Sequence, residues 1–387
     1  MVETGLDVLL GDDALIGELR VRRVGLVTNA SAITRRAQPI LEALRAVGVN
    51  LAGLFSPEHG LTGVAVAGEA VASSIEPRTG LPVHSLYGST KKPTPAMLSG
   101  IDVMLFDLQD VGARFYTYTT TLAYTLAACA ENGVELIVLD RPNPIGGIEI
   151  EGPVLEAGFE SFVGHGKLPI RYGLTMAELA RLYAALDPAT RSSAIGLRTI
   201  RMRGWQRGMH FDATYLPWAA PSPNMPHAGT ALLYPGLGPA GEGANLSIGA
   251  LTPLPFERIG APWLDGETLA TKMNELELPG VRFRATRFVP TARQYCYADV
   301  VCHGVQVHVM TPVTFRPIAT GLHLMHTIKR MHPSDWHWNA SHFDLLMGNA
   351  HTRTELDAGA SVAELMRGWQ AGQGAFEAAR REVMLYA

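Results

Sequence analysis

Val49-Asn-Leu-Ala-Gly-Leu-Phe-Ser-Pro-Glu-His-Gly60 runs from an apolar segment straight into a proline, a carboxylate, an imidazole and a glycine. A short apolar run that stops on such residues predicts a buried strand, Val49 to Phe55, opening into a loop. In proteins that alternate strands and helices, loops at the carboxyl ends of strands carry the ligand-binding groups. Glu58 and His59 are therefore the first candidate site residues.

The same pattern extends on both sides. Upstream, Val24 to Thr28 predicts a strand, followed by the polar loop Asn29-Ala-Ser-Ala32. An amphipathic helix with Ile40, Leu41, Leu44 and Val47 on one face follows, and Gly48 sits where it would cap. Downstream, Val103 to Phe106 leads at once into Asp107, Gln109, Asp110, Arg114, Tyr116 and Tyr118. A helix bearing Leu122, Leu126 and Cys129 then ends near Asn132-Gly133. The strand Leu136 to Leu139 runs into Asp140-Arg-Pro-Asn-Pro144, and a glycine-rich turn delivers Glu151-Gly-Pro153.

Short, continuously apolar strands alternating with helices predict an α/β fold with a parallel sheet covered on both faces. Three successive strand ends carry ionisable residues, which predicts one site built from residues 56–60, 107–118 and 140–151. The segment 61–95 has little periodicity and is expected to be a functional excursion or a small subdomain.

Beyond the first sheet, Thr175-Met-Ala-Glu178 is a capping box for a helix with Leu179, Leu182, Tyr183 and Leu186 on its apolar face. Leu197 to Met202 reads as another strand. Residues 217–262 are rich in proline and glycine and are expected to be binding loops over the same cleft, contributing Asn224, Glu242 and Asn245. From Asp265 the pattern changes to a helix, strands near 281–288 and 300–309, a helix at 317–331 and a terminal helical stretch. This predicts a larger catalytic domain, 1–264, and a smaller α+β domain, 265–387.

Composition excludes several classes. The 387 residues are 47% hydrophobic, enough for a large core, and the net charge is -4 with no dense Lys/Arg run, so nucleic acid is not an expected partner. Cys129, Cys296 and Cys302 lack the spacing of a disulfide framework or a zinc site and read as free thiols. No run of apolar residues is long enough to span a membrane, and no signal peptide is visible at the amino terminus. The chain as given is expected to be cytoplasmic, and periplasmic or secreted if a signal peptide has been removed.

Gly236-Leu-Gly-Pro-Ala-Gly241 matches the dinucleotide fingerprint literally, but Pro239 lies inside it and the first strand-helix turn carries Thr28-Asn-Ala-Ser instead. No Walker sequence or HExxH spacing occurs, so neither a nucleotide cofactor nor a metal is expected. Cleaving a glycosidic bond needs a proton donor at the leaving oxygen and a second group that activates water or stabilises positive charge. Glu58 and Glu151 can supply these carboxyls, with Asp107, Asp110 and Asp140 also at hand. Loop bracing and helix capping account for most such residues, Asp107 and Asp140 in particular. Tyr116 and Tyr118 either line a sugar subsite or simply pack. On the residues alone, the reaction stays open.

Taken together, several stretches resemble the NamZ-like exo-β-N-acetylmuramidases. They are Ser56-Pro-Glu-His-Gly60, Thr79-Gly-Leu-Pro-Val83, Ser85-Leu-Tyr-Gly88, Phe106-Asp-Leu-Gln-Asp-Val-Gly-Ala-Arg-Phe-Tyr-Thr-Tyr118 and Leu139-Asp-Arg-Pro-Asn-Pro144. Glu151-Gly-Pro-Val154, Pro221-Ser-Pro-Asn-Met-Pro226, Cys302-His-Gly-Val-Gln306, Phe315-Arg-Pro317 and Phe343-Asp-Leu-Leu346 continue the match nearly to the end.

The resemblance implies a Rossmann-like catalytic domain with a smaller carboxy-terminal domain. It also implies removal of N-acetylmuramic acid from non-reducing ends of peptidoglycan fragments, without nucleotide or metal. By motif, the family's two proposed catalytic glutamates fall on Glu58 and Glu151. His59, Gln109, Asp110 and Arg114 are then expected around the sugar, with Asn143 and Asn224 bonding its hydroxyl or acetamido groups.

The chain departs from the family pattern at Leu61-Thr-Gly63, where an arginine is usual, and at Ile248 to Thr252. Arg114 and Arg141 are left as expected partners of the muramic acid carboxylate. Two further outcomes stand beside hydrolysis: elimination at the same bond by a lyase, and muropeptide binding without turnover.

Overall fold

The structure, a computed structural model, describes residues 1–186 and 196–387. Twelve strands are described: β1 (Val24–Thr28), β2 (Leu51–Ser56), β3 (Ser74–Ile75), β4 (Pro82–Ser85), β5 (Val103–Asp107), β6 (Glu135–Leu139), β7 (Glu151–Val154), β8 (Pro169–Arg171), β9 (Leu197–Ile200), β10 (Arg258–Ala261), β11 (Val281–Phe288) and β12 (Cys302–Val309).

A seven-stranded sheet has the order β3-β4-β2-β1-β5-β6-β9. Every pair in it is parallel except the β3–β4 edge. Every residue of β1 and β5 is buried, because helices cover both faces of the sheet centre. This is why these strands run apolar up to their last residues, Thr28 and Asp107, rather than alternating. The chain leaves β1 toward β2 and later returns to β1's other side as β5, so the strand order reverses around β1. Such reversals open a crevice beyond the strands' carboxyl ends. Glu58 lies just past the end of β2, at that crevice.

Helix ends follow from local chemistry. The helix Tyr118–Asn132 stops at Gly133, whose φ of 70° suits glycine and whose N–H bonds the Cys129 carbonyl. The helix Met176–Leu186 starts at the Thr175 capping box, with Thr175 Oγ1 accepting from Glu178 N and Glu178 Oε2 accepting from Thr175 N.

The carboxy-terminal part holds the antiparallel sheet β10-β12-β11, with helices Gly266–Glu275, Pro317–Met331, Ala340–Met347, His351–Ala358 and Val362–Arg381. Among the described residues it shares its core with the amino-terminal part. One continuous apolar cluster runs from Phe106 and Leu126 to Leu322, Phe343 and Phe376. A second cluster, with Leu26, Leu54, Leu105 and Leu139, fills the other face of the large sheet. No described helix is long and apolar enough to cross a membrane.

One expectation needs correction. The stretch 217–262 is not loop throughout, because Ala228–Glu242 is a helix with Pro235 and Pro239 inside it. Its propensity is poor, and packing overrides that. A Cβ at Gly236 would overlap the Pro317 carbonyl, and one at Gly321 would overlap the Gly236 carbonyl. The two glycines let this helix cross Pro317–Met331 backbone to backbone. The Gly236–Gly241 stretch that resembles a nucleotide fingerprint is therefore part of a helix-packing surface.

Candidate active site

A cleft of about 560 Å³ lies between the Glu58 loop, the β5 loop, the carboxyl end of the helix Ala228–Glu242 and the 337–342 segment. Glu58 is fixed at one side of it. Its Oε1 accepts from Gly68 N at 2.9 Å and its Oε2 from Thr117 Oγ1 at 2.7 Å. The Tyr87 hydroxyl lies beside the same carboxylate, and burial followed by the Glu58 charge pushes the Tyr87 pKa up. Three short polar groups thus orient a side chain that is only 7% exposed.

His59 takes a φ of 72°, the left-handed region that costs a non-glycine residue energy. That turn aims its ring into the cleft, with Nδ1 2.7 Å from the Ala65 carbonyl oxygen. A proton on Nδ1 leaves Nε2 to face the cavity.

An aromatic wall continues from there. Tyr116 packs edge-on against Tyr118 at 4.7 Å and Tyr234 at 5.8 Å, and Phe115 meets Tyr234 at 5.0 Å. Trp338 also lines the cleft, held between Trp336 and Phe343, with its Nε1 donating to Asp357 Oδ1 at 2.9 Å. A fixed aromatic face beside hydrogen-bonding groups suits a ligand with both an apolar ring face and hydroxyls.

Glu242 reaches the same cleft from the end of its helix. Its Oε2 lies 3.3 Å from His342 Nε2, and this hydrogen bond raises the His342 pKa. Among the described lining residues, Glu58 and Glu242 are the carboxylates, and no lysine or arginine joins them.

Of the residues expected from sequence, Glu58, His59, Tyr116, Glu242 and Asn245 line this cleft. The Asn245 amide is already engaged, donating to the Asp335 carbonyl at 2.8 Å and accepting from His337 N at 2.8 Å. It shapes the loop that carries Trp338. Tyr118 lies underneath, with its hydroxyl donating to the Pro221 carbonyl at 2.6 Å and accepting from Asn29.

The other expected residues are held elsewhere. Arg114 is fully buried and donates to the carbonyls of Pro153, Leu168 and Leu346, so it braces the fold and does not line this cleft. Arg141 forms a buried ion pair with Asp107 and also donates to the Ile33 carbonyl. Gln109 spends its amide on the carbonyls of Asp110 and Pro142.

Asp110 accepts from Tyr172 and from Gly112 N, and burial pushes its pKa up to about 6. Asp140 accepts from Thr175, Ala177 N and Tyr386, and burial pushes it up to about 7. Asn143 donates to the Leu174 carbonyl, and Asn224 accepts from Leu251 N.

Glu151 also departs from expectation, because it does not line the cleft. It opens β7 opposite Arg171 of β8, is 4% exposed, and accepts from Ala319 N in the first turn of the helix Pro317–Met331. Burial pushes its pKa up to about 7, although Arg171 and Arg316 pull it the other way.

The divergent Leu61 packs toward the second core cluster and lines a separate groove near the end of β1. Sequence reading missed Tyr87, Thr117, Tyr234, Tyr295, His337, Trp338 and His342, all of them cleft residues. Thr117 and Tyr87 carried a local signal, since both lie in stretches already quoted above.

An α/β protein whose strand-end crevice holds two carboxylates and aromatic platforms, with no lysine or arginine among its described lining residues, has the features of a glycosidase. Comparison with known proteins agrees. Residues 24–229 match the amino-terminal domain of the exo-β-N-acetylmuramidase NamZ family, and residues 232–386 match its carboxy-terminal domain.

The chain is 42% identical over 387 residues to the peptidoglycan β-N-acetylmuramidase NamZ of Bacillus subtilis strain 168, covering all of this chain and 91% of that protein. Two crystal structures of DUF1343 family proteins from Bacteroides fragilis superpose on the whole chain and on 99% of each of theirs. Their TM-scores are 0.89 and 0.80, at 36% and 26% identity. The chain belongs to the exo-β-N-acetylmuramidase NamZ family and is a glycosidase.

Proposed function

We propose that the protein removes N-acetylmuramic acid from the non-reducing ends of peptidoglycan fragments by hydrolysis, with Glu58 acting at the glycosidic bond. The observation that carries this reading is the Glu58 carboxyl, oriented by Thr117 and Gly68 at the edge of a cleft walled by Trp338 and the tyrosines. The family membership and the Bacillus relative's activity support the choice of sugar.

Protonated Glu58 would give its proton to the leaving oxygen, while the Thr117 hydroxyl and Gly68 N–H hold the carboxyl in line. Trp338 would lie along the sugar's apolar face. The muramic acid carboxylate would meet histidines rather than arginine, since His59, His337 and His342 are the lining residues able to carry positive charge. The Glu151 network would hold the helix Pro317–Met331 in place beneath the cleft, acting through structure.

Incubating the protein with an N-acetylmuramyl-N-acetylglucosamine disaccharide tests this. Hydrolysis releases muramic acid at its full mass, elimination releases it one water lighter, and a binding protein releases nothing. Glu58→Gln is expected to lower kcat by about 10²–10⁴-fold.

A further inference from the structure

Glu242 sits in an unusual setting for a surface-reaching glutamate. It ends a 15-residue helix that is buried along nearly its whole length, and glycines flank it on both sides. A Cβ at Gly241 would overlap Ile248, and one at Gly243 would lie against Phe343 and the Pro239 carbonyl. No side chain fits at either position, so the backbone at Glu242 is clamped between Ile248 and Phe343. The carboxylate is held as well: Oε2 bonds His342 Nε2 at 3.3 Å, while Oε1 has no hydrogen-bond partner among the described residues.

Glu242 and Glu58 enter the cleft from different halves of the chain. Tyr87, Tyr234 and Tyr295 line the cleft together with both carboxylates, and burial and the two carboxylate charges push all three hydroxyl pKa values up. A carboxylate oxygen with no partner among the described residues, lining the same sugar-sized cleft as a proton donor, supplies the two groups that a displacement at an anomeric carbon needs.

We infer that Glu242, positioned by His342, is the second catalytic carboxylate and acts on the face of the sugar opposite Glu58. This rests on the glycosidase reading above. In the step, the Glu242 carboxylate takes a proton from water as the water oxygen bonds to C1. The C1–oxygen bond breaks with its electron pair going to the leaving oxygen, which receives the Glu58 proton. Glu242 ends protonated and Glu58 ionised, and exchange with solvent resets both.

The test uses the full chain and 4-nitrophenyl β-N-acetylmuramide. The wild-type protein turns it over, whereas Glu242→Ala is expected to lose about 10²–10⁴-fold in kcat with little change in KM. Sodium azide, small enough for the vacated space, should restore at least about tenfold of the lost rate, within the range that positioned nucleophiles supply. The restored product is the α-glycosyl azide. His342→Gln, as a positioning variant, should lower kcat less than Glu242→Ala and gain nothing from azide.

Should Glu242→Ala not fold, as judged by near-ultraviolet circular dichroism, Glu242→Gln keeps the shape and carries the kcat test. Near-wild-type turnover of either folded Glu242 variant, or a lost rate in folded Glu242→Ala with no azide product, overturns the inference while the glycosidase reading stands. An inactive wild-type protein overturns both.

Discussion

The Thr117 hydroxyl donates to Glu58 Oε2 across 2.7 Å and ties the loop after β2 to the start of the helix Tyr118–Asn132. The bond is charge-assisted when Glu58 is ionised and buried on both sides, so it fixes the acid rather than merely touching it. Removing it should lower turnover without emptying the cleft. Thr117→Val, which keeps the shape, is expected to reduce kcat by roughly 10–100-fold, the equivalent of one hydrogen bond to a charged group. Steady-state kinetics should show KM little changed.

Glu151 gives a pH-dependent prediction. Its folded pKa of about 7 lies above the ordinary glutamate value of 4.5, with burial as the main cause. Below pH 4.5 both folded and unfolded states hold the proton. As pH rises toward 7 the unfolded chain releases it first, so stability falls and then levels off about 3 kcal/mol lower. Asp110 and Asp140, raised to about 6 and about 7, slope the same way. Glu151→Gln cannot ionise and should lose less stability than the wild-type protein between pH 4.5 and pH 8 in urea titrations. It should also keep most of its turnover; a fall of about 10²-fold or more would show that Glu151 takes part in the chemistry.

Arg114 is the brace whose loss should be felt throughout the fold. It joins the β7–β8 hairpin to the helix Ala340–Met347 through the carbonyls of Pro153, Leu168 and Leu346. Arg114→Ala strands those acceptors and opens a cavity, so a loss of at least about 3 kcal/mol is expected from guanidinium denaturation. Were Arg114 a substrate contact, the same change would raise KM and leave stability nearly intact.

The helix crossing at Gly236 and Gly321 predicts a linked effect on fold and site. Gly321→Ala forces backbone apart where a Cβ would overlap the Gly236 carbonyl. The cost should be about 1–3 kcal/mol, measured as a lower Tm, with reduced kcat because the displaced helix carries Glu242.

Much of the fold was legible because its strands are buried on both faces. The runs at Val24–Val27, Val103–Phe106 and Leu136–Leu139 are continuous and apolar for that reason, and the Thr175 capping box and Gly133 stop marked helix ends. The helix Ala228–Glu242 was not legible, since two prolines and repeated glycines mask it and only its contact with Pro317–Met331 explains them.

Glu58 and His59 stood out because a strand ends beside them. Trp338 and His342 reach the cleft from far along the chain, where no local pattern marks them. Arg114 and Arg141 misled because a polar residue in a strand-end loop looks the same whether it faces a ligand or braces a loop.

The most direct test is a crystal structure of the Glu58→Gln variant with an N-acetylmuramyl-N-acetylglucosamine disaccharide bound. The glycosidic oxygen should lie within hydrogen-bond reach of the residue 58 amide, about 2.6–3.2 Å, with the muramyl ring over Trp338. A disaccharide bound away from residue 58, or with its glycosidic oxygen beside Glu151 instead, would contradict the placement of the chemistry in this cleft.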